Sequence, residues 1–160
     1  DKLKLVITKL SMLAERQLNF LLNSKINEIL PPFVNLGTLG FNFGMQGVQF
    51  TATSTTAENQ MLSNSMYVHS IPNNNDNQDI VSMGTNAAII TSRVIENAFE
   101  VLAIEIITIV QAIEYLEQKD KISSVTRKMY DDIRALVPAF KEDLVMYQYV
   151  QKVKDYLINN

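Results

Sequence analysis

Cysteine is absent from the 160 residues, histidine occurs once and tryptophan not at all. Without thiols there is no disulfide framework, thiolate zinc site or redox pair, and one histidine cannot make a histidine cluster within a chain. Lysine and arginine nowhere form a run, and the formal net charge of −3 gives no electrostatic ground for binding nucleic acid. No charge-free apolar stretch reaches the ~20 residues that cross a bilayer, and none has the pattern of a signal or transit segment. No Ser/His/Asp arrangement, phosphate-cradling glycine loop or metal-ligand spacing survives inspection. What is present is apolar and weakly charged, 47% and 19% of the residues, which excludes a disordered chain. The length suits one domain with its own core.

The chain opens at Asp1 inside an apolar-periodic segment, with neither an initiator Met nor a cap before it, so a piece of a longer polypeptide is expected. Leu3, Val6, Ile7, Leu10, Leu13, Ala14, Leu18, Leu21 and Leu22 recur at three and four residues, predicting one face of a helix over about 2–30. Asn23-Ser24 is a candidate interruption, and Leu30-Pro31-Pro32 ends the segment. Glycines 37, 40, 44 and 47 mark a connection, where they permit positive φ or the close approach of a neighbouring helix. A helix is expected over 43–62, with Phe41, Phe43 and Phe50 in the core. Further helices are expected over 80–118, 123–136 and 143–157, the last with Val145, Tyr149, Val153, Tyr156 and Leu157 inward.

The segment from Ile80 to Gln118 would be roughly 58 Å long as one helix, at ~1.5 Å per residue. Its centre, Val101 to Val110, is apolar almost all round and so must be covered on most sides. A chain this short is not expected to wrap it alone, so neighbouring subunits are expected to share in covering it. The helices before it, 2–30 and 43–62, are expected to pack antiparallel to it. Glu28, Glu58, Glu96, Glu100 and Glu105 are the carboxylates that could pair, but their spacing fits solvated faces or interface contacts.

Just before that helix lies the densest polar run, Asn73-Asn74-Asn75-Asp76-Asn77-Gln78-Asp79, with five amides and two carboxylates in seven positions. Such a run suits a turn leading into a helix N-terminus, whose free N–H groups need acceptors. It equally suits a polar recognition loop carried on a rigid helix. His69 beside it fits a hydrogen-bonded structural role better than a catalytic one.

Ser70-Ile71-Pro72, Asn77-Gln78-Asp79 and Val81-Ser82-Met83-Gly84 together resemble a segment of the aromatic amino acid ammonia-lyases and related aminomutases. Ala14-Glu15-Arg16, Leu30-Pro31-Pro32-Phe33, Ala57-Glu58-Asn59 and Val101-Leu102-Ala103-Ile104-Glu105 fall in the matching order, so the resemblance spans essentially the whole chain, nearest to bacterial tyrosine ammonia-lyases. It implies an all-α long-helix bundle, residues 1–160 forming a single helical C-terminal segment of a cytoplasmic, homotetrameric enzyme. It also implies elimination of ammonia from an aromatic L-amino acid to give an α,β-unsaturated acid, with a methylidene-imidazolone electrophile made from an internal Ala-Ser-Gly. This sequence holds no Ala-Ser-Gly, so no catalytic residue is expected here and the chain alone should be inactive. The positions carried over as proximal to substrate and electrophile are Gln78, Asn77 and Asn74. Glutamine at 78, where histidine ammonia-lyases carry glutamate, favours tyrosine or phenylalanine as substrate. Lyase and aminomutase are not separated by these residues. A histidine ammonia-lyase segment and a non-catalytic helical oligomerisation module stand as the alternatives.

Overall fold

A computed structural model describes residues 1–160. Six α-helices follow one another: α1 (Lys2–Leu22), α2 (Ser24–Asn27), α3 (Gln46–Leu62), α4 (Gly84–Tyr115), α5 (Ser124–Leu136) and α6 (Tyr147–Asn159). There is no strand, only two isolated bridges, Leu39–Asn42 and Asn73–Gln78. The architecture is the all-α helical bundle.

Each helix differs from its sequence-based range, for local reasons. The first expected helix breaks at Asn23, which is extended and whose Oδ1 accepts from Lys25 N at 3.1 Å. Asn27 then closes the end of α1, donating Nδ2 to the carbonyls of Phe20, Leu21 and Asn23 at 2.8, 3.1 and 2.9 Å. The Phe20 and Leu21 carbonyls would otherwise lack partners at a helix terminus, whereas that of Asn23 also accepts from Ile26 N and Asn27 N. α4 covers 84–115 rather than 80–118, about 48 Å at ~1.5 Å per residue. It stops because Glu117 turns left-handed (φ 54°) and Gln118 N reaches back to the Ile113 carbonyl at 3.2 Å, the pattern of a Schellman end. α3 and α6 start late, at 46 and 147, because the two segments before them are tied together. The Asp143 carboxylate accepts from Phe43 N and Gly44 N at 3.0 Å.

Gly44 is required there: φ is +57° and a Cβ would lie 2.8 Å from the Phe33 carbonyl oxygen. At Gly37 a Cβ would lie 2.1 Å from the Lys141 carbonyl oxygen, so this glycine admits the segment leading to α6. The glycines thus serve a loop-to-loop contact, and no helix packs on Gly47.

α1 and α3 run antiparallel, as the pairs Lys4–Asn64, Thr8–Asn59, Glu15–Thr53 and Asn19–Gln49 require. α3 is likewise antiparallel to α4, with Glu58 3.5 Å from Arg93 and Gly47 lining the same groove as Ile104. α4 therefore runs parallel to α1: Leu3 and Ala88, Ser11 and Ala98, and Phe20 and Ile109 line shared clefts in the same order along the two helices. This corrects the expectation that α4 opposes both helices.

The chain wraps the centre of α4 more fully than its length suggested. Val101, Ala103, Ile104, Ile107 and Val110 are buried, and only Leu102 and Ile109 keep 37% exposure. They join α1, α3, α5 and α6 in one core with Leu18, Met45, Ile133 and Val153. Phe41, Phe43 and Phe50, expected inside, are 84%, 57% and 68% exposed. α3 turns Ala52, Thr56 and Asn59 inward, which leaves Phe50 on the opposite side. Val145 is also exposed, in the turn before α6, while Val150 takes the inward place.

The first half of α1 is inverted. Lys4, Thr8, Ser11 and Glu15 are buried, whereas Leu10 and Leu13 are each 54% exposed and Leu3 and Val6 are similarly open. The inward polar groups form a satisfied seam. Thr8 Oγ1 donates to the Asn59 carbonyl at 3.2 Å, and Asn59 Nδ2 donates to Ser11 Oγ and the Val94 carbonyl at 3.0 and 3.2 Å. Asn97 Nδ2 completes it, to Asn59 Oδ1 at 3.0 Å and Glu58 Oε2 at 2.9 Å. Buried amides paired in this way specify register at little net cost in stability. No helix is long and apolar enough to cross a membrane.

Candidate functional site

The polar run forms the tip of the segment between α3 and α4. Asn74, Asn75 and Asp76 are all left-handed, with φ of 57°, 54° and 60°. Side chains with a Cβ resist that region, and asparagine and aspartate tolerate it best. This is the physical reason for so many Asx residues in succession. Around them Asn73 N donates to the Gln78 carbonyl at 3.0 Å, Gln78 N to the Asn73 carbonyl at 3.3 Å, and Asn77 N to the Asn74 carbonyl at 3.1 Å. The loop is closed by its own backbone.

That closure leaves the amide side chains unused. Asn74, Asn77 and Gln78 are exposed, and none of their side chains bonds to the rest of the chain. The three expected site residues are thus brought together on one tight loop. The His69 imidazole also stays exposed, without the hydrogen bond expected of it; its backbone N–H bonds the Met66 carbonyl at 3.2 Å.

Below the tip, Ser70 Oγ accepts from Val81 N at 2.8 Å and joins the two stems. The stems border an open cleft of about 900 Å³, lined by Tyr67, His69, Ser70, Val81, Met83 and the first turns of α4. At its far wall Asp1 Oδ2 accepts from Met66 N and Ser65 Oγ at 3.0 and 3.2 Å. Asp1 Oδ1 lies 2.9 Å from Lys4 Nζ, which also donates to the Asn64 carbonyl. Sequence reasoning missed this pair: Asp1 and Lys4 stand three apart, a readable spacing, but such pairs usually sit on solvated helix surfaces.

A larger groove, about 1030 Å³, lies between the start of α3 and α6 and contains no residue of the polar loop. Of the carboxylates considered from sequence, Glu58 belongs to the polar seam. Glu105 is buried against expectation, beside Arg16 and Phe20. Its burial raises the carboxyl pKa above the usual value. Tyr130 is pushed up too, first by burial and then by its hydrogen bond to Glu114. No three His, Cys, Asp or Glu side chains gather to hold a metal.

Neither the loop nor the cleft carries a nucleophile with its base, so the arrangement offers neutral hydrogen-bonding groups rather than acid–base chemistry. A likeness to known proteins gives that offer its setting. The chain is 36% identical to the MIO-dependent tyrosine 2,3-aminomutase of Streptomyces globisporus, over 98% of its own length and 29% of the relative's. It is 35% identical to histidine ammonia-lyase 1 of Fusobacterium nucleatum, over its full length and 31% of that protein. The crystal structure of the tyrosine aminomutase from Streptomyces globisporus superposes with a TM-score of 0.94 at 35% identity, covering 98% of this chain and 30% of that one. Phenylalanine aminomutase of Pantoea agglomerans gives 0.92 at 28% identity, over 97% and 30%. The chain thus spans about 30% of the length of these relatives. They do not single out the tyrosine ammonia-lyases that the motifs suggested. A model of the aromatic amino acid lyases matches residues 1–135, and the chain belongs to that family.

Proposed function

We propose that this chain is the C-terminal helical part of a longer, homo-oligomeric enzyme that eliminates ammonia from an aromatic L-amino acid, tyrosine or phenylalanine rather than histidine. The observation that carries this reading is the closed loop, which satisfies its own backbone and presents Gln78, Asn77 and Asn74 with unused amides. The identities to a tyrosine aminomutase and to histidine ammonia-lyases are alike, 36% and 35%, so the substrate preference rests on position 78.

The methylidene-imidazolone of this class, when present, supplies an electrophile that makes the amino group a better leaving group. The chain's sequence has no Ala-Ser-Gly from which to form it, so Gln78, Asn77 and Asn74 would meet it from a separate segment. A set of neutral amides fits such a setting: amides can both donate to and accept from polar groups without adding charge. Gln78 and Asn77 orient the substrate by hydrogen bonds that hold amine, ring and base in reacting geometry. A glutamate at 78 would bring a negative charge, suited to an imidazole side chain and unsuited to a phenyl or phenol ring.

Oligomer formation is supported by α1, where the exposed Leu3, Val6, Leu10 and Leu13 repeat at three and four residues, Leu10 lining a small pocket with the part-exposed Leu102 of α4. That spacing is the seam of a helix–helix contact between copies.

The test is product formation by the full-length polypeptide with tyrosine, phenylalanine and histidine offered separately. Cinnamate-type absorbance from tyrosine or phenylalanine, with at most one-tenth the turnover on histidine, is expected. The 160-residue chain alone is expected to form none. Preferential urocanate formation overturns the substrate assignment.

A further inference from the structure

Lys4 lies on the first turn of α1 with no solvent exposure, and its partner Asp1 has a side chain only 2% exposed. An ammonium at such depth is costly unless matched by charge and hydrogen bonds, and apolar packing would serve stability equally well. The match here ties two segments together, the start of α1 and the residues just past α3. Lys4 Nζ meets Asp1 Oδ1 at 2.9 Å and donates to the Asn64 carbonyl just past α3, while Asp1 Oδ2 holds Ser65 Oγ and Met66 N. The chain of bonds continues: Ser65 Oγ accepts from Tyr67 N at 3.1 Å, the Met66 carbonyl from His69 N at 3.2 Å, and Ser70 Oγ from Val81 N at 2.8 Å.

From Ile71 to Ser82, short of the start of α4, the loop makes no hydrogen bond to a helix. Ile71 and Ile80 are 68% and 87% exposed, and no side chain from 72 to 79 bonds to a helix. The place of the tip is therefore set by its stems, and the first stem starts on the Lys4–Asp1 pair.

We propose that Lys4, with Asp1 as counter-ion, is a positioning residue that fixes where Gln78 meets the substrate. This rests on the reading of Gln78 given above. The experiment is a double-mutant cycle in the full-length enzyme, with Lys4→Met keeping the stem's length without its charge, and Gln78→Ala. Lys4→Met is expected to lower kcat/KM on the aromatic substrate about tenfold in the native background and less than twofold in the Gln78→Ala background. Its shift in melting temperature should be the same in both. Amide exchange over residues 65–83 should quicken in Lys4→Met. Equal fold-losses in the two backgrounds, or no loss in either, overturn the positioning role. If Lys4→Met does not fold, Asp1→Asn, which keeps shape and an acceptor while removing the counter-charge, runs the same cycle and is judged the same way. A Gln78→Ala enzyme with native kinetics overturns the reading of Gln78 and this proposal together; a large Gln78 effect with additive losses overturns the Lys4 role alone.

Discussion

Asn73 and Gln78 exchange both backbone hydrogen bonds, at 3.0 and 3.3 Å, and so enclose three consecutive left-handed residues between them. A narrow antiparallel pairing of this kind fixes the loop without recruiting any side chain. The side-chain amides at 74, 77 and 78 are left without partners within the chain.

The left-handed turn should be sensitive to branching at Cβ. Asn75→Val is expected to cost about 1–2 kcal/mol locally, since bulky L-residues are disfavoured there. Asn75→Gly should be close to neutral. Hydrogen exchange at the Asn73 and Gln78 amides reads the difference; equal protection in the Val and Gly variants would show that the turn does not form.

The loop-to-loop contact should be equally specific. Gly37→Ala places a Cβ 2.1 Å from the Lys141 carbonyl oxygen, and is expected to destabilise by about 2 kcal/mol through forced displacement. Gly47→Ala, with nothing near its Cβ, should be neutral or stabilise α3 by about 0.5–1 kcal/mol. Urea denaturation of the two variants checks the contrast, and equal midpoints would contradict it.

Glu105 gives a pH dependence with a definite sign. Burial raises its folded pKa above the ordinary carboxylate value, so the folded chain binds the proton more tightly than the unfolded one. Its penalty is full above the raised folded pKa and disappears as pH falls to the unfolded value. Glu105→Gln should therefore stabilise at neutral pH and lose that advantage in acid. Denaturation midpoints of the two proteins, measured from pH 7 down to pH 4, should converge; a constant gap would mean the carboxyl is not desolvated.

The open face of α1 predicts association. Leu10→Lys with Leu13→Lys puts two charges on the exposed apolar seam and should reduce the mass seen by light scattering. An unchanged oligomer would move the interface elsewhere.

Much of the fold was legible because the apolar spacing is helical and Pro31-Pro32 cannot continue a helix. The inward side of α1 was not. A period identifies a stripe but does not say which neighbour it faces, and here Lys4, Thr8, Ser11 and Glu15 turn inward while Leu10 and Leu13 turn out. The aromatic residues at 41, 43 and 50 misled for another reason: size and apolarity favour burial, but Phe41 and Phe43 fall in the segment before α3 and Phe50 on its outer side. The three loop residues are put forward by their resemblance to a family, and the Asn run stands out by its composition. What composition could not convey was that the run is left-handed. Lys4 was illegible because a lysine among leucines reads as surface, and only the position of Asn64 and Asp1 in space makes it an anchor.

The most direct test of the central claim is the kinetics of Gln78→Glu and Gln78→Ala in the full-length enzyme. Glutamate preserves the shape and adds a charge that an aromatic ring cannot compensate, while alanine leaves the partners of the amide unpaired. Both substitutions are expected to lower kcat/KM on tyrosine or phenylalanine by roughly tenfold to a hundredfold, about 1.4–2.7 kcal/mol of transition-state stabilisation. Values within twofold of the unmodified enzyme for both variants would contradict the account and make the loop a surface turn.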